Sequence, residues 1–168
     1  MRPDISQNDL SKLKISIGSD AADVPRVLPL VRQMHKESIF SDMPFDAEQY
    51  EKICSFIIDI PSRHGGVFVE YENEPVAFAY FVHRPFMGSR MNYITYMHTI
   101  YLRGDIRSTP LGGYIWERII MAVRGWSAPR SSKGLMFNVV SGIAIEESDA
   151  VLRANGGTFL GGNYFIRI

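Results

Sequence analysis

The chain has 168 residues, 46% of them hydrophobic and 21% charged, a length and balance that suit one globular domain with no need of a disulfide or metal. Its 18 Lys and Arg equal its 18 Asp and Glu, so zero net charge gives no overall pull toward nucleic acid or an anionic membrane. One cysteine, Cys54, excludes an intrachain disulfide and a thiolate zinc site.

Residues 1–11 are polar and read as a flexible arm, followed by a single domain over 12–168. The opening stretch lacks the apolar core of a secretory signal. No run approaches the roughly 18 apolar residues that span a bilayer, so a cytoplasmic chain that does not enter membranes is expected. Leu13, Ile15 and Ile17 alternate with polar residues, the pattern of a half-buried strand that Gly18 ends. Val24, Val27, Leu28, Leu30, Val31 and Met34 then repeat near helical spacing, and the helix is expected to reach Glu37. Pro25 suits its first turn, whereas Pro29 predicts a kink or a later start.

Asp46 opens a second helix whose apolar face holds Tyr50, Ile53, Cys54, Ile57 and Ile58, and Pro61 closes it. A strand over 67–71, a turn at 72–74 and a return strand over 75–83 form a hairpin. Residues 85–90 are a loop, and 92–102 are a long strand rich in β-branched and aromatic side chains. A loop over 103–110 leads to a helix over 112–125, with Ile115, Trp116, Ile119, Ile120 and Val123 along one side. A polar connection over 127–134 precedes a strand at 135–140, a short helix at 146–155, and one or two last strands within 158–168.

The segment from Tyr101 to Tyr114 joins strand to helix. A helix N-terminus offers unpaired N–H groups and the positive end of its dipole, so an anion such as a pyrophosphate can bind there. Gly112 and Gly113 would let a ligand approach the backbone, and Arg107 would add a charge. Glycine at such a junction also serves as plain punctuation.

With this element order, the Arg107–Gly112 loop resembles that of the GNAT (GCN5-related N-acetyltransferase) superfamily. Met34-His-Lys-Glu-Ser38 ahead of Pro44-Phe-Asp46, Val140-Ser-Gly-Ile143, and Val151–Gly156 followed by Thr158–Gly161 resemble small GNAT proteins of bacteriophage genomes. The resemblance covers Ile15 to Ile168. It implies an α/β (α+β) acyl-CoA N-acyltransferase fold, a mixed central sheet of about six to seven strands with about four helices. It implies acetyl-CoA as the cofactor, held by Ile100, Leu102, Arg107, Ser108, Leu111, Gly112 and Gly113. It also implies a small-molecule or protein amine as acceptor, entering between the opening helices and Ser141, and a homodimer or larger assembly.

Two departures stand out. Pro110 falls where the first motif glycine belongs, which removes one amide from the cradle. The strand over 92–102 carries no glutamate for use as a base, and Leu152 takes the place of the tyrosine that many GNAT proteins carry in the last helix. His98, with Tyr96 on the same strand face by alternation, is the expected catalytic substitute, acting through water. The plainer reading of His98 is a hydrogen-bonded strand residue, of Tyr96 packing, and of Ser141 turn chemistry. The expected activity is acetyl transfer to an amine by direct attack. Its competitor is a non-catalytic GNAT-fold structural or interaction protein, such as a phage particle component.

Overall fold

The computed structural model describes residues 5–18, 23–138 and 141–161. In chain order these form α1 (Gln7–Ser11), β1 (Leu13–Gly18), α2 (Asp23–Glu37), α3 (Ala47–Asp59), β2 (His64–Tyr71), β3 (Glu74–Pro85), β4 (Tyr93–Leu102), α4 (Gly104–Arg107), α5 (Pro110–Ser127), a 3-10 turn (Ala128–Arg130), β5 (Ser132–Phe137) and α6 (Ile145–Ala154). The strands make one mixed sheet in the order β1-β2-β3-β4-β5, antiparallel except for the parallel pair β4 and β5.

Strand alternation sorts the core into two layers. Val67, Val69, Ala77, Ala79, Phe81, Met97 and Leu102 face α5, whose Ile115, Trp116, Ile119, Ile120 and Val123 cover them. Phe68, Phe78 and Tyr101 point the other way and meet Val27, Leu30 and Val31 of α2. The opposed parity of Val67 and Phe68, and of Ala77 and Phe78, is therefore the division between the layers. The hairpin of β2 and β3 turns on Glu72 and Asn73, both with positive φ (54° and 66°), a two-residue loop that fixes the register Tyr71 to Glu74.

Several expectations change. Among the described residues the sheet has five strands and the chain six α-helices, not six to seven strands with about four helices. The polar stretch read as an arm contains α1, capped by the Ser6 hydroxyl, which accepts from the Asp9 N–H at 3.1 Å. The loop read over 103–110 contains α4, where the Arg103 guanidinium clasps the Asp105 carboxylate and Ile106 is buried. Helix α2 runs through Pro29 without ending. The β5 pairing covers Ser132–Phe137 and starts earlier than the 135–140 expected, because α5 runs on to Ser127 and only the 3-10 turn and Ser131 separate it from the strand; residues 139 and 140 lie outside the described residues. Residues 158–161 form no strand, and the remainder of the expected final strands lies outside the described residues.

Ile119 is fully buried against the sheet, while Met121 is 53% exposed two residues along the same helix. Ile119→Ala is expected to lower the unfolding free energy in urea by about 2–5 kcal/mol. Met121→Ala is expected to change it by under about 0.5 kcal/mol.

Candidate functional site

Strand β4 gains one residue opposite β3. Phe81 pairs with Met97 and Tyr80 with Thr99, so His98 and Thr99 together oppose Tyr80 in a β-bulge. On its other side β4 pairs with β5 only as far as Met97 and Phe137. Beyond the bulge, Thr99 to Leu102 keep a sheet neighbour on one side alone among the described residues. Among the described residues the pairing of the two parallel strands stops there, and a cleft of about 640 Å³, lined by Thr99 to Leu102 and by Asn138 just after β5, runs under α2 and α3.

His98, Ile100, Leu102, Arg107 and Ser141 all line this cleft. Ser141 is held in a turn: its hydroxyl accepts from the Ile143 N–H at 3.3 Å, and its carbonyl accepts from the Ile39 N–H at 3.2 Å. Tyr96, Ser108, Leu111, Gly112 and Gly113 do not line it. Tyr96 is buried, with the Arg84 guanidinium 4.1 Å from its ring centre, so it serves as a platform for Arg84 and does not reach the cleft beside His98.

Three residues that sequence reasoning missed join His98. His64 Nδ1 and the Tyr80 hydroxyl share a hydrogen bond of 2.7 Å, and the His98 ring centre lies 5.6 Å from that of Tyr80. His64 opens β2 and Tyr80 lies on β3, brought diagonally together by the hairpin register and its bulge. Arg84 is the third. Three of the four histidines, His35, His64 and His98, thus reach the cleft, whereas His83 is buried on the opposite face, stacked on Tyr93 at 4.9 Å.

Burial, with the charge of Arg84 added, holds the His98 pKa below its ordinary value. Burial also lowers that of His64, with His98 and Arg63 adding to the effect. Both imidazoles are therefore neutral at pH 7. Burial, then the neighbouring Cys54, pushes the Tyr80 hydroxyl up to about 12, so it keeps its proton. A neutral imidazole in a partly dry cleft beside a protonated phenol can accept one proton and donate another.

At the end of the cleft near Leu102 stands an ion pair between Arg107 and Glu37. Arg107 donates from Nη2 and Nε to the Leu102 carbonyl, at 2.9 and 3.2 Å, and from Nη2 to Glu37 at 2.6 Å. The Tyr101 hydroxyl donates to the other Glu37 oxygen at 2.9 Å. Burial opposes ionisation of Glu37, but Arg107, Tyr101 and Gln33 outweigh it and lower its pKa. Arg107 is thus turned inward, toward Glu37.

The loop amides are also largely spent. The N–H of Arg107 donates to Arg103, those of Ser108 and Thr109 are directed to Ile106, and that of Gly113 donates to Thr109. The Thr109 hydroxyl, the N-cap of α5, accepts the Gly112 N–H at 3.2 Å. Pro110 occupies the first helical position, where its missing donor costs nothing. The Leu111 N–H remains for an anion. The splayed strands fit an extended thioester cofactor, while the cradle offers its pyrophosphate far fewer amides than the sequence pattern implies. Among the described residues no group of three or more His, Cys, Asp or Glu is arranged to hold a metal ion, and no helix is long and apolar enough to cross a membrane.

No family model and no curated protein matches the sequence. Solved structures do. An aminoglycoside acetyltransferase from an uncultured soil metagenomic sample, in complex with trehalose, superposes with a TM-score of 0.69 at 12% identity, over 94% of this chain and 97% of that one. AAC(6')-Iy in complex with a CoA-linked acetylneamine bisubstrate analogue gives 0.68 at 14% identity, over 93% and 97%. A ribosomal-protein-alanine N-acetyltransferase from Brucella melitensis biovar Abortus 2308 gives 0.63 at 14%, over 93% and 99%. The fold is that of the GNAT acetyltransferases.

The two loop glycines have separate roles. A Cβ on buried Gly112 would lie 2.3 Å from the Ile106 carbonyl oxygen and 2.7 Å from that of Arg107, both backbone atoms, whereas one on Gly113 meets nothing within 4 Å. Gly112→Ala is expected to destabilise by about 1–3 kcal/mol through overpacking. Gly113→Ala is expected to stabilise by about 0.4–1 kcal/mol. Thermal and urea unfolding of the two variants check the opposite signs.

Proposed function

We propose that the protein is an acetyl-CoA-dependent N-acetyltransferase, with the parting of β4 and β5 as the single observation that carries this function. The amine acceptor lies in the part of the cleft beneath α2 and α3, and the cofactor lies between the splayed strands. Bound acetyl-CoA supplies an activated acyl carbon, so that a C–N bond forms as the C–S bond breaks.

The chain's own residues handle the protons and the position. His98, on the bulge, removes a proton from the acceptor ammonium, directly or through one water. Tyr80 holds a proton on the same wall, and His64 fixes the direction of its hydroxyl. Unpaired backbone from Thr99 to Leu102 supplies hydrogen-bonding groups for the extended cofactor arm and a donor for the acyl oxygen. Leu111 N–H, with Ser108 and Gly113 at the surface of the loop, meets the pyrophosphate. Arg107 keeps Glu37 and the Leu102 carbonyl in place; it joins the phosphates only by leaving Glu37.

A second function is favoured by the loop itself. Spent amides, Pro110 and the inward Arg107 suit a non-catalytic GNAT-fold interaction module, as in a phage particle or a homodimer, and Met87 and Met91 at the β3–β4 tip are 84% and 86% exposed.

Titration calorimetry with acetyl-CoA separates the two. Binding in the micromolar to millimolar range, with release of CoA when an amine is added, is expected of the enzyme. No heat from folded protein at millimolar cofactor overturns it. His98→Ala is expected to lower kcat by about 10²–10⁴-fold. Because burial and Arg84 hold the His98 pKa below its ordinary value, its basic form predominates at pH 7 and is lost as pH falls through that lowered value. The acid limb of kcat/KM is therefore expected below pH 6.5 in the wild type and absent from His98→Ala.

A further inference from the structure

We infer that the acceptor is a primary amine on an aromatic or similarly apolar body that also carries a carboxylate, and that Arg84 receives that carboxylate, a proposal resting on the acetyl-transfer reading above. The first ground is what the cleft lacks. Among the described residues that line it there is no Asp or Glu. A polycationic acceptor such as an aminosugar would leave its additional ammonium groups desolvated with no carboxylate partner, at a cost of several kcal/mol for each buried ion.

The second ground is the state of its two guanidinium groups. Arg107 is matched by Glu37 at 2.6 Å. Arg84 has no carboxylate partner among the described residues and rests on the Tyr96 ring, which fixes its position while leaving its donors open. A positioned guanidinium with free donors in an acid-free cleft is a carboxylate receptor. The third ground is shape and lining. Phe40, Phe45, Ile53 and Phe56 give the space under α2 and α3 apolar walls, suited to an aromatic ring. Arg84 and His98 line the same cleft, so a carboxylate held by the one brings a nearby amine toward the other.

The test uses the full chain with acetyl-CoA and three acceptors, L-phenylalanine, 2-phenylethylamine and kanamycin. The expected order places L-phenylalanine first in kcat/KM by about tenfold or more, the value of one charge-assisted contact. Arg84→Gln is expected to raise the ratio of KM for L-phenylalanine to KM for 2-phenylethylamine by about 10–100-fold, with Arg84→Lys recovering part of it. Kanamycin as the best acceptor, or an unchanged KM ratio in Arg84→Gln, overturns the proposal. Failure of the underlying enzyme is seen separately, as absence of acetyl-CoA binding and of CoA release with every amine. In that case calorimetry of the three amines without cofactor still decides. L-Phenylalanine binding that is lost in Arg84→Gln supports the carboxylate receptor, and tighter binding of kanamycin, or no binding of L-phenylalanine, overturns it.

Discussion

One inserted residue in β4 governs the molecule. His98 and Thr99 share a single partner, Tyr80, and the strand bends at that point. Up to Met97 the strand is an ordinary interior member of the sheet, paired on both sides. After the bulge it keeps β3 and, among the described residues, pairs with β5 no further, and this stretch forms a wall of the cleft. An unpaired edge inside a protein is costly unless something satisfies its backbone groups. Arg107 partly does so, by donating twice to the Leu102 carbonyl. In the proposed function the remaining groups receive the extended cofactor arm.

The same bulge sets the chemistry. It places His98 beside Tyr80, which His64 already holds from the neighbouring strand. Partial burial keeps both imidazoles neutral and the phenol protonated. In the proposed reaction an imidazole whose working form is uncharged takes the place of a carboxylate base. Together with the acid-free lining, this leaves Arg84 as the unpaired charge facing the acceptor among the described residues.

Much of the fold was legible because its core obeys two periods. Alternation at Leu13, Ile15 and Ile17, and the helical stripe from Ile115 to Val123, reflect burial that repeats regularly along the chain. Helix α4 was not legible, because one turn of helix held by an Arg103–Asp105 clasp and a buried Ile106 has no period to read. The cleft was half legible. His98 stood out as the titratable residue of a long strand, but His64 and Tyr80 are sixteen positions apart and meet only through the register that Glu72 and Asn73 impose and a bulge then shifts. Arg107 and Gly112 were noticed for a phosphate role. Side-chain geometry gives Arg107 to Glu37 and Gly112 to close helix packing, information that a motif does not carry.

Hydrogen–deuterium exchange measures directly whether the β4 edge from Thr99 to Leu102 receives acetyl-CoA, as proposed. Saturating acetyl-CoA is expected to slow exchange at the amides of Thr99 to Leu102 and at Leu111, with β1 unchanged. Unaltered exchange along that edge with the cofactor bound, or protection confined to another surface, would contradict it.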